Sequence, residues 1–265
     1  MSSIKPIGIF DSGVGGTSIW KEIHELLPHE KTIYLADSKN APYGTKPVEE
    51  IIKLSRKNTE KLLEMGAKII VVACNTATTN AIAELRKDYK VPFIGIEPAI
   101  KPAALQSKAK TVGILATRGT LTSALFCQAS ELYKKDIQII EVEGNGLVEL
   151  IESGQKDSPK TQRLLLKILK PMLDHHIDYL VLGCSHYPYL LPVLKEIFPE
   201  TVQIIDSGEA VARQTKAVLL KNELLNYEGN SENPVPEFFS NTNPEVLSDL
   251  INAKQHNYRV SYLDF

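Results

Sequence analysis

Ile69-Ile70-Val71-Val72-Ala73-Cys74-Asn75-Thr76 is an unbroken apolar run that ends in a cysteine and two small polar residues. Its length, its β-branched content and its lack of alternation predict a parallel strand covered on both faces. Tyr179-Leu180-Val181-Leu182-Gly183-Cys184-Ser185-His186 repeats the pattern at an offset of 110. Nearer the N-terminus, Ile7-Gly8-Ile9-Phe10 aligns with Val112-Gly113-Ile114-Leu115, and Thr17-Ser18 with Thr122-Ser123, both at an offset of 105. Two such similar offsets predict a duplicated α/β unit: two pseudo-symmetric α/β domains with mainly parallel sheets. Open α/β sheets bind ligands at the carboxyl ends of their strands. Two facing halves would therefore set Cys74 and Cys184 on opposite sides of one cleft.

The rest of the chain alternates in the same way. Helical spacing predicts a helix over 17–27 with Ile19, Trp20, Ile23, Leu26 and Leu27 on one face, then a strand at Thr32-Ile33-Tyr34-Leu35-Ala36. A longer helix is expected over 45–65, with Pro47 in its first turn and Gly66 as its stop. A helix over 77–88 leads to a strand at Phe93-Ile94-Gly95-Ile96. The second half reads as a helix over 122–134, a strand at Ile137-Gln138-Ile139-Ile140, a helix opened by Ser158-Pro159, a helix near 189–198 and a strand at Val202-Gln203-Ile204-Ile205. The polar stretch from Asn226 to Glu237 has two prolines and no period, and reads as a surface loop. A short strand at Phe238-Phe239 and a helix capped by Asn243-Pro244 are expected to close the chain.

With 30 Lys+Arg against 32 Asp+Glu, the net charge of −2 argues against a nucleic-acid or anionic-membrane partner, since those need clustered cations. No apolar run reaches the roughly 18 residues of a spanning helix, and the first residues lack a signal peptide's apolar core, so a cytoplasmic protein is expected. Cys74, Cys127 and Cys184 are far apart and form no CxxC, which argues against a disulfide scaffold and a structural metal site.

Cysteine is a common buried filler, but two at repeat-equivalent strand ends, each followed by a predicted helix, point to chemistry. A helix N-terminus favours negative charge and lowers a thiol's pKa. Cys127, mid-helix beside Phe126, is expected in the core. Asp11 is either a turn residue or a carboxylate at the cleft rim, able to relay a proton to Cys74. His186, two residues after Cys184, suits assistance to that thiol. Glu149 reads as a solvated helix residue, and His175-His176 as surface. The turn Gly13-Val14-Gly15-Gly16, with Asp37 ending the next strand, suggests a dinucleotide fold, but the third glycine position of GxGxxG is Ser18. There is no P-loop.

These residues match a family. The motifs Ile9-Phe10-Asp11-Ser12-Gly13-Val14-Gly15-Gly16, Ala41-Pro42-Tyr43-Gly44, Ala73-Cys74-Asn75-Thr76-Ala77 and Gly183-Cys184-Ser185-His186-Tyr187-Pro188 stand in the order found in glutamate racemases. The chain resembles that family, within the aspartate/glutamate racemase superfamily, over nearly its full length. Ser185 stands where the family usually has Thr, keeping the hydroxyl.

The resemblance implies interconversion of L- and D-glutamate without a cofactor, supplying D-glutamate for peptidoglycan. It implies Cys74, assisted by Asp11, acting on D-glutamate, and Cys184, assisted by His186, acting on L-glutamate. It implies substrate binding by Asp11, Ser12, Tyr43, Gly44, Asn75, Thr76, Ser185 and His186, with Thr117, Thr120 and Glu149 near secondary positions. It further implies one lobe from 1–97 plus 208–265, a second from 98–207, hinge closure over the substrate, and a homodimer. Unlike helpers for the two thiols imply unlike pH behaviour in the two directions, within the equilibrium constraint. Aspartate racemisation, a small-molecule binding module, and a thiol hydrolase or transferase using only Cys184 with His186 are the competing readings.

Overall fold

The structure is a computed structural model that describes residues 4–226 and 234–265. Among the described residues ten strands form two sheets. They are β1 (Ile7–Asp11), β2 (Thr32–Ala36), β3 (Ile69–Val72), β4 (Phe93–Gly95), β5 (Thr111–Ala116), β6 (Gln138–Glu143), β7 (Tyr179–Gly183), β8 (Gln203–Ile205), β9 (Glu237–Ser240) and β10 (Arg259–Tyr262). The first sheet has the order β10-β9-β2-β1-β3-β4 and the second β6-β5-β7-β8, with every pairing parallel. The core of the first, β2-β1-β3-β4, has the order of the second with each strand replaced by its repeat equivalent. Register follows: Ile7 sits opposite Ile69, and their counterparts Val112 and Tyr179 sit opposite each other. The offsets of 105 and 110 are thus one structural repeat. Two mainly parallel sheets in an α/β protein are what the sequence predicts.

Helix α1 (Thr17–Leu26) buries Ile19, Trp20 and Ile23. Leu26, expected on that face, is instead exposed, because the buried stripe runs from Ile23 to Leu27 and leaves Leu26 on the flank. Trp20 donates from Nε1 to Thr32 Oγ1 and packs edge-on against Phe238 and Tyr258, drawing the last part of the chain onto α1. Helix α2 (Val48–Glu64) starts later than expected, since Pro47 is its cap and Tyr43–Thr45 forms a separate tight turn. Helix α3 (Asn75–Asp88) begins immediately after Cys74, which is its N-cap.

Beyond α4 (Ile100–Gln106) and α5 (Arg118–Leu121), helix α6 (Ala124–Glu131) corrects one expectation. It turns Phe126 and Ser130 inward, four residues apart, and this leaves Cys127 exposed rather than in the core. Glu152 ends α7 (Leu147–Glu152). The helix Gly208–Lys221, which the sequence reading passed over, packs along α1. The chain closes on β10, not on the helix after Pro244: among the described residues strand Arg259–Tyr262 pairs with β9 alone and is largely exposed, and its polar–apolar alternation spans only four residues, too few to single it out. Of the polar stretch expected as a loop, residues 227–233 lie outside the described residues, and Glu237 already belongs to β9. No helix among the described residues is long and apolar enough to cross a membrane.

Candidate active site

The carboxyl ends of β1, β3 and β7 converge, and each carries one chemically active side chain. Asp11 is the last residue of β1, Cys74 lies two residues beyond β3, and Cys184 follows β7 directly. Both thiols are nearly closed off, with 4% and 7% of their surface exposed.

Cys74 Sγ accepts the Ala77 N–H at 3.4 Å in the first turn of α3 and lies 3.5 Å from Ser12 Oγ. Burial, reinforced by the Asp11 charge, pushes its thiol well above the usual range despite these hydrogen bonds. Asp11 is fully buried. Its Oδ2 accepts the Gly16 N–H at 2.9 Å and its Oδ1 the Ser185 hydroxyl at 3.2 Å, and its charge acts on the Cys74 thiol. Burial raises the Asp11 carboxyl, with the nearby His186 working against the rise.

On the other side, Cys184 Sγ is 3.8 Å from His186 Nδ1. His186 Nε2 meets Glu152 Oε1 at 2.5 Å, and Nδ1 lies 3.9 Å from Asp11 Oδ2. Burial alone would depress this imidazole. Hydrogen bonds with Cys184 and Glu152 and the charge of Asp11 outweigh it, and drive His186 well above its ordinary value. The two thiols are unlike in a further way. Cys74 caps a helix of 14 residues, whereas Cys184 leads into the short turn Tyr187–Leu190, and the helix expected near 189–198 starts only at Leu191. Pro188 and Pro192 lack the N–H groups a continuous helix would use there. Helix-terminal assistance therefore falls on Cys74.

Two glycines of the first turn acquire a purpose the sequence did not reveal. A Cβ on Gly13 would lie 1.9 Å from Glu152 Oε1, and one on Gly15 would lie 2.2 Å from His186 Nδ1. The turn is bare because side chains from the other sheet press into it. Further bonds link the two halves: Ser18 Oγ donates to Ser185 O, Thr17 Oγ1 bonds the Tyr189 hydroxyl at 2.6 Å, and Asn80 Nδ2 donates to Gly119 O.

The remaining expected residues fall into four groups. Asn75 is buried, and neither atom of its amide has a hydrogen-bond partner among the described residues. Leaving such a group unpaired costs about 1–3 kcal/mol, which a bound carboxylate or ammonium would offset. Thr76, Thr117 and Thr120 form one hydroxyl cluster across the cleft, with Thr76 Oγ1 2.8 Å from Thr117 Oγ1. Gly44 presses so close to Thr117 that a Cβ would lie 2.7 Å from its side chain. The Tyr43 hydroxyl is already committed, donating to Asp37 Oδ2 and accepting from Asn58, so Tyr43 has only main chain and ring to offer a ligand. Glu149 is exposed and stands at the outer rim, on a crevice also lined by Gly44, Thr117 and Arg118. Glu152 was missed. Nothing in its local sequence sets it apart from Glu149, and only its contact with His186 does. Asp37, considered at first only as a cofactor ligand, is instead a buried hub for Tyr43, Asn40, Asn241 and Lys57.

Comparison with known proteins finds relatives over most of the chain. A family profile for Asp/Glu/Hydantoin racemase matches residues 7–215. The glutamate racemase of Ectopseudomonas mendocina is 48% identical over 221 residues, 83% of this chain and 84% of the relative. Among solved structures, Escherichia coli glutamate racemase with L-glutamate and the activator UDP-MurNAc-Ala superposes with a TM-score of 0.83 at 32% identity, covering 97% of each chain. The Francisella tularensis glutamate racemase with D-glutamate gives 0.82 at 26% identity, covering 98% of this chain and 97% of that one.

Proposed function

The chain belongs to the Asp/Glu/Hydantoin racemase family and is an isomerase, and we propose that its cleft interconverts L- and D-glutamate by proton transfer between Cα and two thiols. One observation carries this reading: two buried cysteines at repeat-equivalent strand ends, one from each sheet, each with its own acid–base neighbour. A racemase meets both enantiomers, so it needs a base on each face, and a duplicated fold supplies them.

In this reading Cys74 serves the D face and Cys184 the L face. One, as thiolate, removes the Cα proton while the other, as thiol, delivers one to the opposite face. Asp11 hands protons to and from Cys74, and His186, backed by Glu152, does so for Cys184. The α-proton is a very weak acid, so the carbanion-like state needs preorganised donors and excluded water. The α3 N-terminus, the Asn75 amide and the burial of both thiols support that role. Ser12, Thr76, Ser185 and the main chain at Tyr43-Gly44 would hold the two carboxylates and the ammonium, with Thr117 and Thr120 in support. We assign residues 1–97 plus 208–265 to one lobe and 98–207 to the other, closing over the substrate. The product would supply peptidoglycan, made by a cytoplasmic homodimer that needs no cofactor.

The test is purified protein with L-glutamate in D₂O, following optical rotation and the α-proton NMR signal together. Joint loss of both is the expected result. Activity on aspartate but not glutamate would overturn the substrate, and loss of the α-proton without loss of rotation would leave only one working base.

The Asp11 charge beside Cys74 gives a pH prediction with a definite sign. A neighbouring negative charge disfavours the thiolate, so Asp11→Asn should lower the Cys74 titration, and more thiolate should form at neutral pH. In a Cys127→Ser/Cys184→Ser background, the 240 nm thiolate absorbance should rise at lower pH than in the same background with Asp11 intact. In the otherwise native chain the same change should lower kcat by about 10²-fold, through loss of the relay. An unmoved absorbance midpoint would show that Asp11 is not coupled to Cys74.

A further inference from the structure

Glu152 is attached to the four-stranded half but is gripped by the six-stranded one. Its Oε1 accepts the Val14 N–H at 2.7 Å as well as meeting His186 Nε2, and its Oε2 accepts the Ser38 hydroxyl at 2.8 Å. Val14 belongs to the glycine turn after β1, and Ser38 to the turn after β2. The carboxylate is 14% exposed, and the terminal torsion of a glutamate is soft, so one hydrogen bond would not hold its plane. With Ser38 on one oxygen and Val14 and His186 on the other, its plane and rotation are both set. Ser38 itself is half-buried, and the hydrogen bonds of the two thiols go to Ser12, Ala77 and His186 rather than to it.

We propose that Ser38 is a positioning residue for the Cys184 half of the reaction, acting through the Glu152 carboxylate on His186. This rests on reading the cleft as the racemase site. Because the bond from Ser38 spans the two halves, His186 receives its full support only when they meet as in this structure. The titratable groups facing His186 are Asp11 from β1, Cys184 from the end of β7 and Glu152 from α7. Loosening Glu152 leaves the other two in place, so the perturbation is selective.

Enantiomers are equally stable, so kcat/KM must be the same in both directions, and a one-sided defect cannot show there. It shows in the α-deuterium isotope effect. If transfer at Cys184 becomes the harder step, the isotope effect on kcat/KM grows for α-deuterated L-glutamate and shrinks for α-deuterated D-glutamate. Ser38→Ala should lower kcat/KM about 5- to 10-fold and produce that asymmetry. Ser38→Thr, which keeps the hydroxyl, should restore both. A second readout needs no substrate: the His186 titration, followed by NMR of ¹³C-labelled histidine and identified by its loss in His186→Asn. It should move down by roughly one pH unit in Ser38→Ala as the anionic neighbour loosens. An unchanged His186 titration with unchanged isotope effects would overturn the proposal. So would a rate loss that is symmetric in isotope effect and not rescued by threonine, and so would asymmetry of the opposite sign, which would tie Ser38 to Cys74. Failure of the parent chain to racemise glutamate would overturn the reading of the site, while the titration would still decide the role of Ser38.

Discussion

Cys74→Ser and Cys184→Ser are each expected to reduce racemisation by about 10³-fold or more, with the fold retained. Serine keeps the size of cysteine but holds its proton far too tightly to serve as the base, and in the proposed mechanism each change removes one of the two proton carriers. Neither should disturb the scaffold. At position 74 the side chain caps α3, a role serine fills at least as well as cysteine. At position 184 it lies at a strand end among other small residues. Each variant should also keep half of the chemistry. Cys74→Ser should still wash the α-proton of L-glutamate into D₂O without inversion, because Cys184 can remove a proton and return one to the same face. Cys184→Ser should do the same with D-glutamate. Racemisation near the parent rate by either variant, prepared free of host enzyme, would sink the two-thiol mechanism. Exchange of both enantiomers by one variant would do so too.

Gly15→Ala should be almost as damaging, although Gly15 itself carries no titratable group: its N–H lies 3.3 Å from His186 Nε2. Gly15 does not adopt a positive φ, so the backbone accepts alanine, and any effect comes from the added methyl. That methyl would stand 2.2 Å from Nδ1 and 2.3 Å from Cγ of His186. The ring is 1% exposed and its far nitrogen is held by Glu152, so it cannot swing aside unless the two halves separate. Displacement of a catalytic group by about 1 Å can cost 10²-fold in rate, and a loss of that order in kcat/KM is expected here. Gly13→Ala is the matched comparison. Its methyl would meet Glu152 Oε1 even more closely, at 1.9 Å, but Glu152 is partly exposed and can rotate away. Its loss should therefore be the smaller one. If Gly15→Ala keeps activity within about threefold of the parent, the two halves do not meet in the active enzyme as they do here.

These cases mark the boundary between what is legible in the chain and what is not. The buried run Ile69-Ile70-Val71-Val72 carries its strand identity in its own composition, and so does Tyr179-Leu180-Val181-Leu182. A parallel strand covered on both faces needs apolar side chains at every position, a demand visible in a window of five residues. The cysteines at the two strand ends were legible for the same reason, because the repeat set them at matching places. Cys127 was misread because a buried and an exposed position can be one residue apart on a helix, and only the partner surface decides which is which. Strand β10 was missed because its alternation, Arg259-Val260-Ser261-Tyr262, lasts only four residues, and an exposed edge adds no buried apolar run to mark it.

The sequence by itself determined the alternating α/β grammar, the duplication, the parallel sheets and the two thiols at the ends of equivalent strands. The grammar and the parallel sheets follow from periodicities no longer than a helix or a strand, and the duplication from matching such short stretches at offsets of 105 and 110. Tertiary structure alone decided that Glu152 rather than Glu149 supports His186, that Asp11 reaches both Cys74 and Ser185, and that the glycine turn is bare to seat an imidazole and a carboxylate from the other half. Those contacts join residues such as Val14 and Glu152, or Gly15 and His186, that are 138 and 171 positions apart. They depend on how one sheet faces the other, which is set by packing over the whole interface and is written in no local stretch of chain.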